Sequence, residues 1–259
     1  MLTSKKRHIK IFTTILNWLA DANQLIFPQT CSVCGNRLLK EETVFCTSCH
    51  SKLPFTHIKG KRGNNLEKIF WGKFPIERTN SLLKYQSGAD STRIISRLKY
   101  GNRPQFGKYL GELMAYDLIQ TDFFQDIDCI IPIPLAAKRE RERGYNQSHE
   151  LALGIAKVTG LRIENSVIKR QKSNPTQTKL NFNERITNVS GIFALCRPEL
   201  IENKHILLVD DVMTSGATLT SCAQELSKAK GVRISILTLF TAHSIIGPSL
   251  DSLAKNHKK

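Results

Sequence analysis

Short apolar runs alternate along the chain with longer segments in which apolar residues recur every three or four positions. Continuous apolar runs are typical of buried strands, and the second pattern is typical of helices with one buried face. Helices are predicted over residues 90–100, 106–119, 146–158 and 217–230. Strands are predicted at SLLKY, IDCIIPIPL, LRIENSVIKR, HILLVDD and VRISILTLF. Because the two patterns alternate, we expect an α/β fold with a mostly parallel sheet and helices on both faces.

The first 27 residues are predicted to form an amphipathic helix, since Phe12, Ile15, Leu16 and Leu19 fall on one face. A secretory signal is the alternative interpretation, because basic residues precede the apolar stretch. Threonine and asparagine interrupt that stretch, which favours the helix. No run approaches the ~20 unbroken apolar residues that cross a bilayer. We therefore expect a cytoplasmic protein without a membrane span.

Composition adds a strong positive charge to this picture. The 259 residues include 38 Lys and Arg against 22 Asp and Glu, a formal net charge of +16, and 41% are hydrophobic. Such a chain can bury a core, which argues against disorder of the whole chain. The charge favours a polyanionic partner, with nucleic acid first and phosphorylated metabolites second, although a solvated lysine surface has the same composition.

Four of the seven cysteines form two C-x2-C pairs that are separated by eleven residues. This spacing predicts a zinc site with four thiolate ligands, Cys31, Cys34, Cys46 and Cys49. Four sulfurs complete a tetrahedron and leave no position for water, which favours a structural metal over a catalytic one. Two disulfides or a redox pair are the alternatives, and His50 is a competing ligand.

Basic residues surround the cysteine pairs and make this module a candidate for binding single-stranded DNA. Aromatic residues lie among them, namely Phe45, Phe55, Phe70 and Trp71. These rings could stack on unpaired bases or form the small core of the module. The basic candidates for DNA contacts are Arg37, Lys40, Lys52, Lys59, Lys61 and Arg62.

The segment VDDVMTSGATL ends a predicted strand in two carboxylates and a turn rich in glycine and hydroxyl groups. Ligands of open parallel sheets bind at the carboxyl ends of the strands. The amides of residues 214–218, at a helix start, suit a phosphate, whereas Asp210 and Asp211 accept hydrogen bonds and suit sugar hydroxyls. A Walker B strand and a response-regulator acid cluster are the competing interpretations, but no G-x4-G-K-[ST] motif is present and an acid cluster does not need the turn.

A basic cluster, KRERER, follows the proline-containing strand IDCIIPIPL. Lys138, Arg139 and Arg143 could clamp a pyrophosphate through charge-assisted hydrogen bonds. The alternative is a solvated segment in which Glu140 and Glu142 neutralise the arginines. An amphipathic helix does not require the order GYNQ that follows, and this favours the clamp.

These motifs resemble known patterns. VDDVMTSGATL resembles the phosphoribosyl pyrophosphate (PRPP) signature of type I phosphoribosyltransferases, and RLKYGNR, PIPL with RERERGYNQ, QTKLNFNERITNV and the cysteine module together resemble the ComF family. The resemblance implies a phosphoribosyltransferase-like fold, a site for PRPP with Mg²⁺, and a role in natural competence, where imported single-stranded DNA is handled. The PRPP-binding residues that it implies are Asp210, Asp211, Met213, Thr214, Ser215, Gly216, Ala217 and Thr218.

The polar residues 171–188 are predicted to close over the site as a lid that carries Lys179 and Arg185. The leading function is a DNA-uptake protein that binds single-stranded DNA and PRPP or a similar phosphorylated ribose, with a helicase or recombination protein as partner. An active phosphoribosyltransferase with an unknown acceptor and a pure interaction protein are the alternatives. We divide the chain into the helix at 1–27, the four-cysteine zinc module at 28–80, the phosphoribosyltransferase-like domain at 81–245 and a basic tail at 246–259.

Overall fold

A computed structural model of the chain describes residues 29–85, 89–171 and 191–246. They fall into two compact units that divide between Leu53 and Pro54. The predicted helix at 1–27 lies outside the described residues, as does the predicted tail at 246–259 apart from its first residue. No helix in the described part of the chain has the length and hydropathy that a transmembrane segment requires.

The first unit is small and is built around the cysteine pairs. Its described residues include one short helix, α1 (Thr47–Ser51), and an antiparallel bridge between Thr30 and Arg37. Its buried apolar side chains include Val33, Leu38, Phe45 and Leu53. So few buried side chains provide little apolar stabilisation, which is the usual situation in which a small module depends on a metal.

The second unit contains a five-stranded parallel sheet in the order β1-β7-β6-β2-β3. A separate antiparallel pair, β4 with β5, lies outside this sheet. The predicted parallel sheet is therefore confirmed. The strands are β1 (Ile76–Tyr85), β2 (Cys129–Pro132), β3 (Arg162–Ile163), β4 (Ile168–Arg170), β5 (Phe193–Leu195), β6 (His205–Met213) and β7 (Arg233–Ala242).

The helices of the second unit alternate with these strands, as the sequence pattern predicts. A 3₁₀ turn at Pro198–Leu200 precedes β6. The helices are α2 (Asn65–Lys68), α3 (Ala89–Tyr100), α4 (Pro104–Leu118), α5 (Ala137–Arg143), α6 (Gln147–Thr159), α7 (Ala217–Leu226) and α8 (His243–Ile246).

Three local predictions differ from the structure. The polar stretch after β2, for which no helix is predicted, contains the exposed helix α5, which ends at Gly144 in the left-handed conformation (φ 78°). LRIENSVIKR forms two strands, because the polar residues 164–166 interrupt it. The predicted boundary at 80/81 lies inside β1, and residues before β1 belong with the sheet, since the Lys84 amide donates to the Pro54 carbonyl (2.7 Å).

Strand β6 lies in the middle of the sheet with its first half buried on both faces. Its residues 206–209, Ile-Leu-Leu-Val, are completely buried. Between helices α4 and α6 the backbones approach closely at two glycines: a side chain on Gly111 would meet the Leu151 carbonyl, and one on Gly154 would meet the Lys108 carbonyl. This packing fixes the start of α6 beside the carboxyl end of β6.

Candidate functional site

Asp210 lies where β6 leaves the core, and its side chain is held by two donors. Its Oδ1 accepts hydrogen bonds from the Ser148 hydroxyl (2.9 Å) and from the Asp211 amide (2.9 Å). Ser148 stands in the first turn of α6, where Asn146 caps the helix by accepting from the Ser148 amide (3.1 Å). The carboxylate is therefore oriented by a helix start that is itself fixed.

The environment of Asp210 raises its pKa to about 7. Burial is the largest cause, and the neighbouring Asp211 carboxylate adds to it. The Asp211 amide, the Ser148 hydroxyl and the Lys99 ammonium act in the opposite direction. At neutral pH this carboxyl group consequently gains or loses a proton easily, which is common in ligand-binding clefts.

Asp211 has a cationic partner in the structure. Lys99 Nζ, near the end of α3, lies 3.2 Å from Asp211 Oδ2, and both side chains are largely buried. The pair is not directed into the apolar core, because Lys99 and Asp211 both line an open cavity. An approaching sugar hydroxyl therefore meets one carboxylate that is already ion-paired and one, Asp210, that is hydrogen-bonded to a serine.

The turn after β6 forms a small hollow at the N-terminus of α7. Gly216 is the N-cap residue and has a left-handed backbone (φ 75°). A side chain at this position would approach Ile69 and Phe70 to about 3.1 Å, and together with the positive φ this tight contact favours glycine. Thr214, Ser215, Ala217 and Thr218 are exposed around a hollow of about 30 Å³, whereas the Met213 side chain is buried. Exposed amides and hydroxyls at a helix start suit a phosphate group.

A cavity of about 350 Å³ brings the two predicted motifs together. Arg139 and Arg143 line it from α5, opposite the end of β6 and the turn. Lys138 is exposed on α5 and does not belong to the described lining. Four of the predicted PRPP-binding residues line the cavity: Asp210, Asp211, Thr214 and Thr218.

Hydrogen bonds connect three of the sequence motifs, RLKYGNR, RERERGYNQ and PIPL. The Tyr145 hydroxyl donates to the Leu98 carbonyl at the end of α3 (2.6 Å). The Asn146 amide donates to the Ile133 carbonyl after β2 (2.9 Å), and Arg143 donates to Gln147 Oε1 (2.7 Å). These contacts tie α3, α5 and the end of β2 into one wall of the cavity.

Three further residues belong to the site that the motifs did not predict as site residues: Lys99, Ser148 and Arg170. Lys99 lies within the quoted RLKYGNR and Ser148 directly follows GYNQ, so their positions in those motifs were the available signal. Arg170 ends β4, lines the cavity and lies over the Phe193 ring at 5.4 Å. Burial, and then the nearby Arg139, lower the pKa of Arg170. Nothing in its sequence surroundings marks it as a site residue.

The four cysteines of the predicted zinc site come together in the first unit. One ligand atom from each of Cys31, Cys34, Cys46 and Cys49 lies within 4.8 Å of all the others, and His50 is not part of this cluster. All seven cysteines are free thiols, so the disulfide alternative is not what the structure contains. Cys129 and Cys222 are buried as packed thiols, but Cys196 is exposed.

Backbone amides near the cysteine cluster stabilise the thiolate form of Cys31, which is the form that binds a metal cation. Cys31 Sγ accepts from the Cys46 amide (3.3 Å) and the Val33 amide (3.5 Å). Although burial alone would raise the pKa of Cys31, the amides of Cys34, Cys46 and Val33 lower it to about 6. Burial and hydrogen bonds from the other thiols raise the pKa of Cys49. The residues fit a metal that binds four thiolates and displaces their protons.

The basic candidates for DNA binding belong to two different units. Arg37, Lys40 and Lys52 are exposed in the first unit, and Lys61 is exposed in the second. Two further candidates form ion pairs, Lys59 with Asp117 (3.3 Å) and Arg62 with Glu77 (3.9 Å).

Among the aromatic residues proposed for base stacking, Phe45 and Phe70 are buried and serve as core side chains. Trp71 differs, because 54% of it is exposed. The predicted lid residues Lys179 and Arg185 lie outside the described residues.

The raised pKa of Asp210 makes a pH-dependent contribution to stability. Its carboxyl ionises near 3.8 in an unperturbed setting and near 7 in the folded protein, so between these values only the folded form holds the proton. The contribution therefore favours folding least above pH 7, and stability is lost as pH rises from about 4 to 7. We expect Asp210→Asn to raise the free energy of unfolding by about 1–3 kcal/mol above pH 7 and by almost nothing at pH 4.

Denaturant unfolding of the wild type and Asp210→Asn at several pH values measures this difference. Asp90→Asn, which changes an exposed carboxylate outside the cavity lining, is the matched control and should show no such trend. A difference between Asp210→Asn and wild type that stays constant from pH 4 to pH 8 would contradict the assignment.

Comparisons with known proteins agree with this geometry. A family model described as "Phosphoribosyl transferase domain" matches residues 141–253. The DNA utilization protein YhgH of Escherichia coli is 28% identical over 212 residues, covering 81% of this chain and 88% of the relative. Competence protein F of Haemophilus influenzae is 25% identical over 213 residues (76% and 90% covered), and competence protein ComFC of Bacillus subtilis is 34% identical over 141 residues (51% and 55% covered).

Solved structures of phosphoribosyltransferases are more distant. A glutamine PRPP amidotransferase from Bacillus subtilis, in complex with ADP and GMP, matches with 19% identity and a TM-score of 0.37, covering 54% of this chain. This chain spans 30% of that structure's chain. The parallel sheet, the matched phosphoribosyltransferase domain and the four-cysteine cluster together give the fold class predicted from sequence, a type I phosphoribosyltransferase-like fold. Relatives that are named as competence and DNA utilization proteins support the predicted resemblance to the ComF family.

Proposed function

We propose that this protein acts in DNA uptake and utilization, binding PRPP or a similar phosphorylated ribose in its cavity and single-stranded DNA on its basic surface. The observation that carries the proposal is the single cavity whose lining includes two carboxylates, three arginines and two threonines of the turn at residues 214–218. The names of the relatives, a DNA utilization protein and a competence protein, support the proposed role in DNA uptake and utilization. The cavity volume of about 350 Å³ lies in the range of small-molecule sites.

Each part of the cavity matches one part of such a ligand. The 5′-phosphate would bind the amides and hydroxyls of residues 214–218, because a helix start carries partial positive charge. The ribose hydroxyls would donate to Asp210 and Asp211, which can only accept when ionised. The pyrophosphate would face Arg139 and Arg143, whose planar guanidinium groups bind phosphate oxygens in pairs.

The ion pair between Lys99 and Asp211 also fits this proposal. In the free protein Lys99 neutralises a carboxylate that would otherwise stand beside Asp210 as a second unpaired acid. When a polyanionic ligand binds, the same ammonium lies within the cavity and can contact phosphate oxygens. Mg²⁺, if bound with PRPP, would partly neutralise the pyrophosphate charge. Asp210 and Asp211 would hold the ion, because they are the two carboxylates in the described cavity lining.

Calorimetry with PRPP and Mg²⁺ tests the cavity. We expect the wild type to release heat on binding, and the Asp210→Asn, Asp211→Asn double variant to bind at least tenfold more weakly, because the ribose hydroxyls lose two charged acceptors. Asp90→Asn is the control and should bind like the wild type. Equal binding by the double variant would show that the carboxylates do not contact the ligand.

A second exposed region of the same unit suits single-stranded DNA. Trp71 follows Phe70, and three exposed lysines accompany it in the chain. Cations that can contact phosphates and an open indole ring on which a base can stack are the components that unspecific single-strand binding requires. We call this the Trp71 surface, comprising Lys61, Lys68, Trp71 and Lys73.

Substitutions on the Trp71 surface test the proposed binding of single-stranded DNA. We expect Trp71→Ala to weaken binding of an unstructured oligonucleotide about tenfold, since stacking contributes ~1–3 kcal/mol per base, and Trp71→Phe to retain most of the affinity. Lys68→Ala with Lys73→Ala should lower the slope of log affinity against log salt by about 1.4. Fluorescence anisotropy over a salt series measures both. Unchanged affinity of Trp71→Ala for the oligonucleotide would show that the Trp71 ring does not contact the DNA.

We further propose that the cysteine cluster holds one structural zinc ion. Elemental analysis of purified protein should find about one zinc per chain, with Cys34→Ser and Cys46→Ser each losing it, because three thiolates bind zinc more weakly than four. Cys196→Ser changes an exposed cysteine outside the cluster and should keep the metal. A full zinc content in Cys46→Ser would contradict the ligand set.

A further inference from the structure

The turn at residues 214–218 packs directly on the segment that carries Trp71. A side-chain carbon placed on Gly216 would lie 3.1 Å from both Ile69 Cγ2 and Phe70 Cε1. Phe70 is completely buried, and it belongs to the apolar cluster that also includes the residues on either side of the turn. The turn proposed for phosphate and the Trp71 surface proposed for DNA are therefore neighbours within the second unit.

Trp71 is displayed on a second turn, which the core holds in place. The Lys73 amide donates to the Phe70 carbonyl (3.1 Å), and Gly72 has a left-handed backbone (φ 74°). The Phe70 ring packs against the Phe74 ring, with 5.5 Å between the centroids. More than half of Trp71, by contrast, is exposed. An aromatic ring held open on a fixed backbone loses little conformational entropy when a base stacks on it.

A short stretch of single-stranded DNA is long enough to join the two features. The Phe70 ring would lie 3.1 Å from a side-chain carbon on Gly216, so one phenylalanine side chain and one residue separate the turn from the Trp71 backbone. Standard bond lengths limit this separation to roughly 15 Å, and they give roughly 6 Å for each nucleotide of an extended strand. Trp71 does not line the hollow at the turn, so a strand that begins in the hollow reaches this residue with its second or third base.

We propose that the turn at residues 214–218 and the Trp71 surface form one site for the 5′-phosphorylated end of a DNA strand. This inference rests on the proposed function. A terminal phosphate offers three unesterified oxygens to the amides and hydroxyls of the turn, whereas a phosphate inside the strand offers two. The following phosphates would meet Lys68 and Lys73, which are exposed on the segment that carries Trp71.

The strand leaves the turn away from the cavity's carboxylates. Deoxyribose has no 2′-hydroxyl, and its 3′-oxygen is esterified within a strand, so DNA has no hydroxyl to donate to Asp210 and Asp211. Ionised carboxylates would instead repel its phosphates. PRPP and a DNA end therefore share only the turn, and they compete for it.

Two oligonucleotides of one sequence, with a fluorophore at the 3′ end and either a phosphate or a hydroxyl at the 5′ end, test the shared site. Fluorescence anisotropy should show that the wild type binds the phosphorylated strand about 5- to 10-fold more tightly. Ser215→Asp places a carboxylate at the exposed turn and should remove this preference. Gln120→Glu adds the same charge at an exposed residue between α4 and β2, near the opposite edge of the sheet, and should keep it.

Further measurements separate the DNA end from PRPP. Trp71→Ala should weaken both strands by about the same factor, because the ring contacts a base and not the phosphate. Saturating ribose 5-phosphate should lower the affinity for the phosphorylated strand to that for the hydroxyl strand. The Asp210→Asn, Asp211→Asn double variant should lose affinity for PRPP and keep the preference for the phosphorylated strand.

Each other outcome overturns a defined statement. If the wild type binds PRPP but binds the two strands with equal affinity, the shared site is wrong and the proposed function stands. A preference that survives in Ser215→Asp places the terminal phosphate elsewhere and also overturns the shared site. If the double variant loses the preference, the strand end enters the cavity, and the path toward Trp71 is wrong. If the wild type binds neither PRPP nor either strand, the proposed function fails and the shared site fails with it.

Discussion

The hydrogen bond from Ser148 to Asp210 connects the two halves of the candidate site. One partner belongs to the start of α6 and the other to the end of β6, and the cavity lies along this junction. Asp210 leaves a strand whose preceding residues are buried on both faces, so its carboxylate stands at the limit of the core. A carboxylate in that position is stable only with donors beside it, and here a serine hydroxyl and a backbone amide provide them.

The cavity lining of the free protein carries more positive than negative charge, with four cationic side chains against two carboxylates. Lys99 pairs with Asp211, and Arg143 lies over Tyr100 and donates to Gln147. These groups are satisfied without a ligand, yet all of them remain oriented toward one space. A phosphorylated sugar replaces some of these contacts rather than ordering the groups anew, which lowers the entropic cost of binding.

Much of this arrangement could be predicted from the sequence, because it depends on local patterns. The apolar run before Asp210 predicted a buried strand, and the helix predicted over residues 146–158 corresponds to α6, which Asn146 and Gly160 cap. The four cysteines could be predicted from their spacing alone.

By contrast, the contact between Lys99 and Asp211 joins residues far apart in the chain, and no local signal encodes such a pair. Arg170 enters the cavity through the placement of a short strand pair, which depends on tertiary packing. Helix α5 was missed because its alternating charges have no buried face and resemble a loop. Among the aromatic residues near the cysteines, only the fold shows that Phe70 is buried and Trp71 is exposed.

The two glycines between α4 and α6 have a consequence beyond packing. Where backbones touch without intervening side chains, neither helix can slide or roll by more than a fraction of an ångström without a collision. Ser148, at the beginning of α6, is held in place by the same packing, because it belongs to the same helix as Gly154 although it lies more than one turn away. The geometry of the binding site thus depends on two positions outside the cavity lining, and a single methyl group added at either would push the helices apart and misalign the cavity.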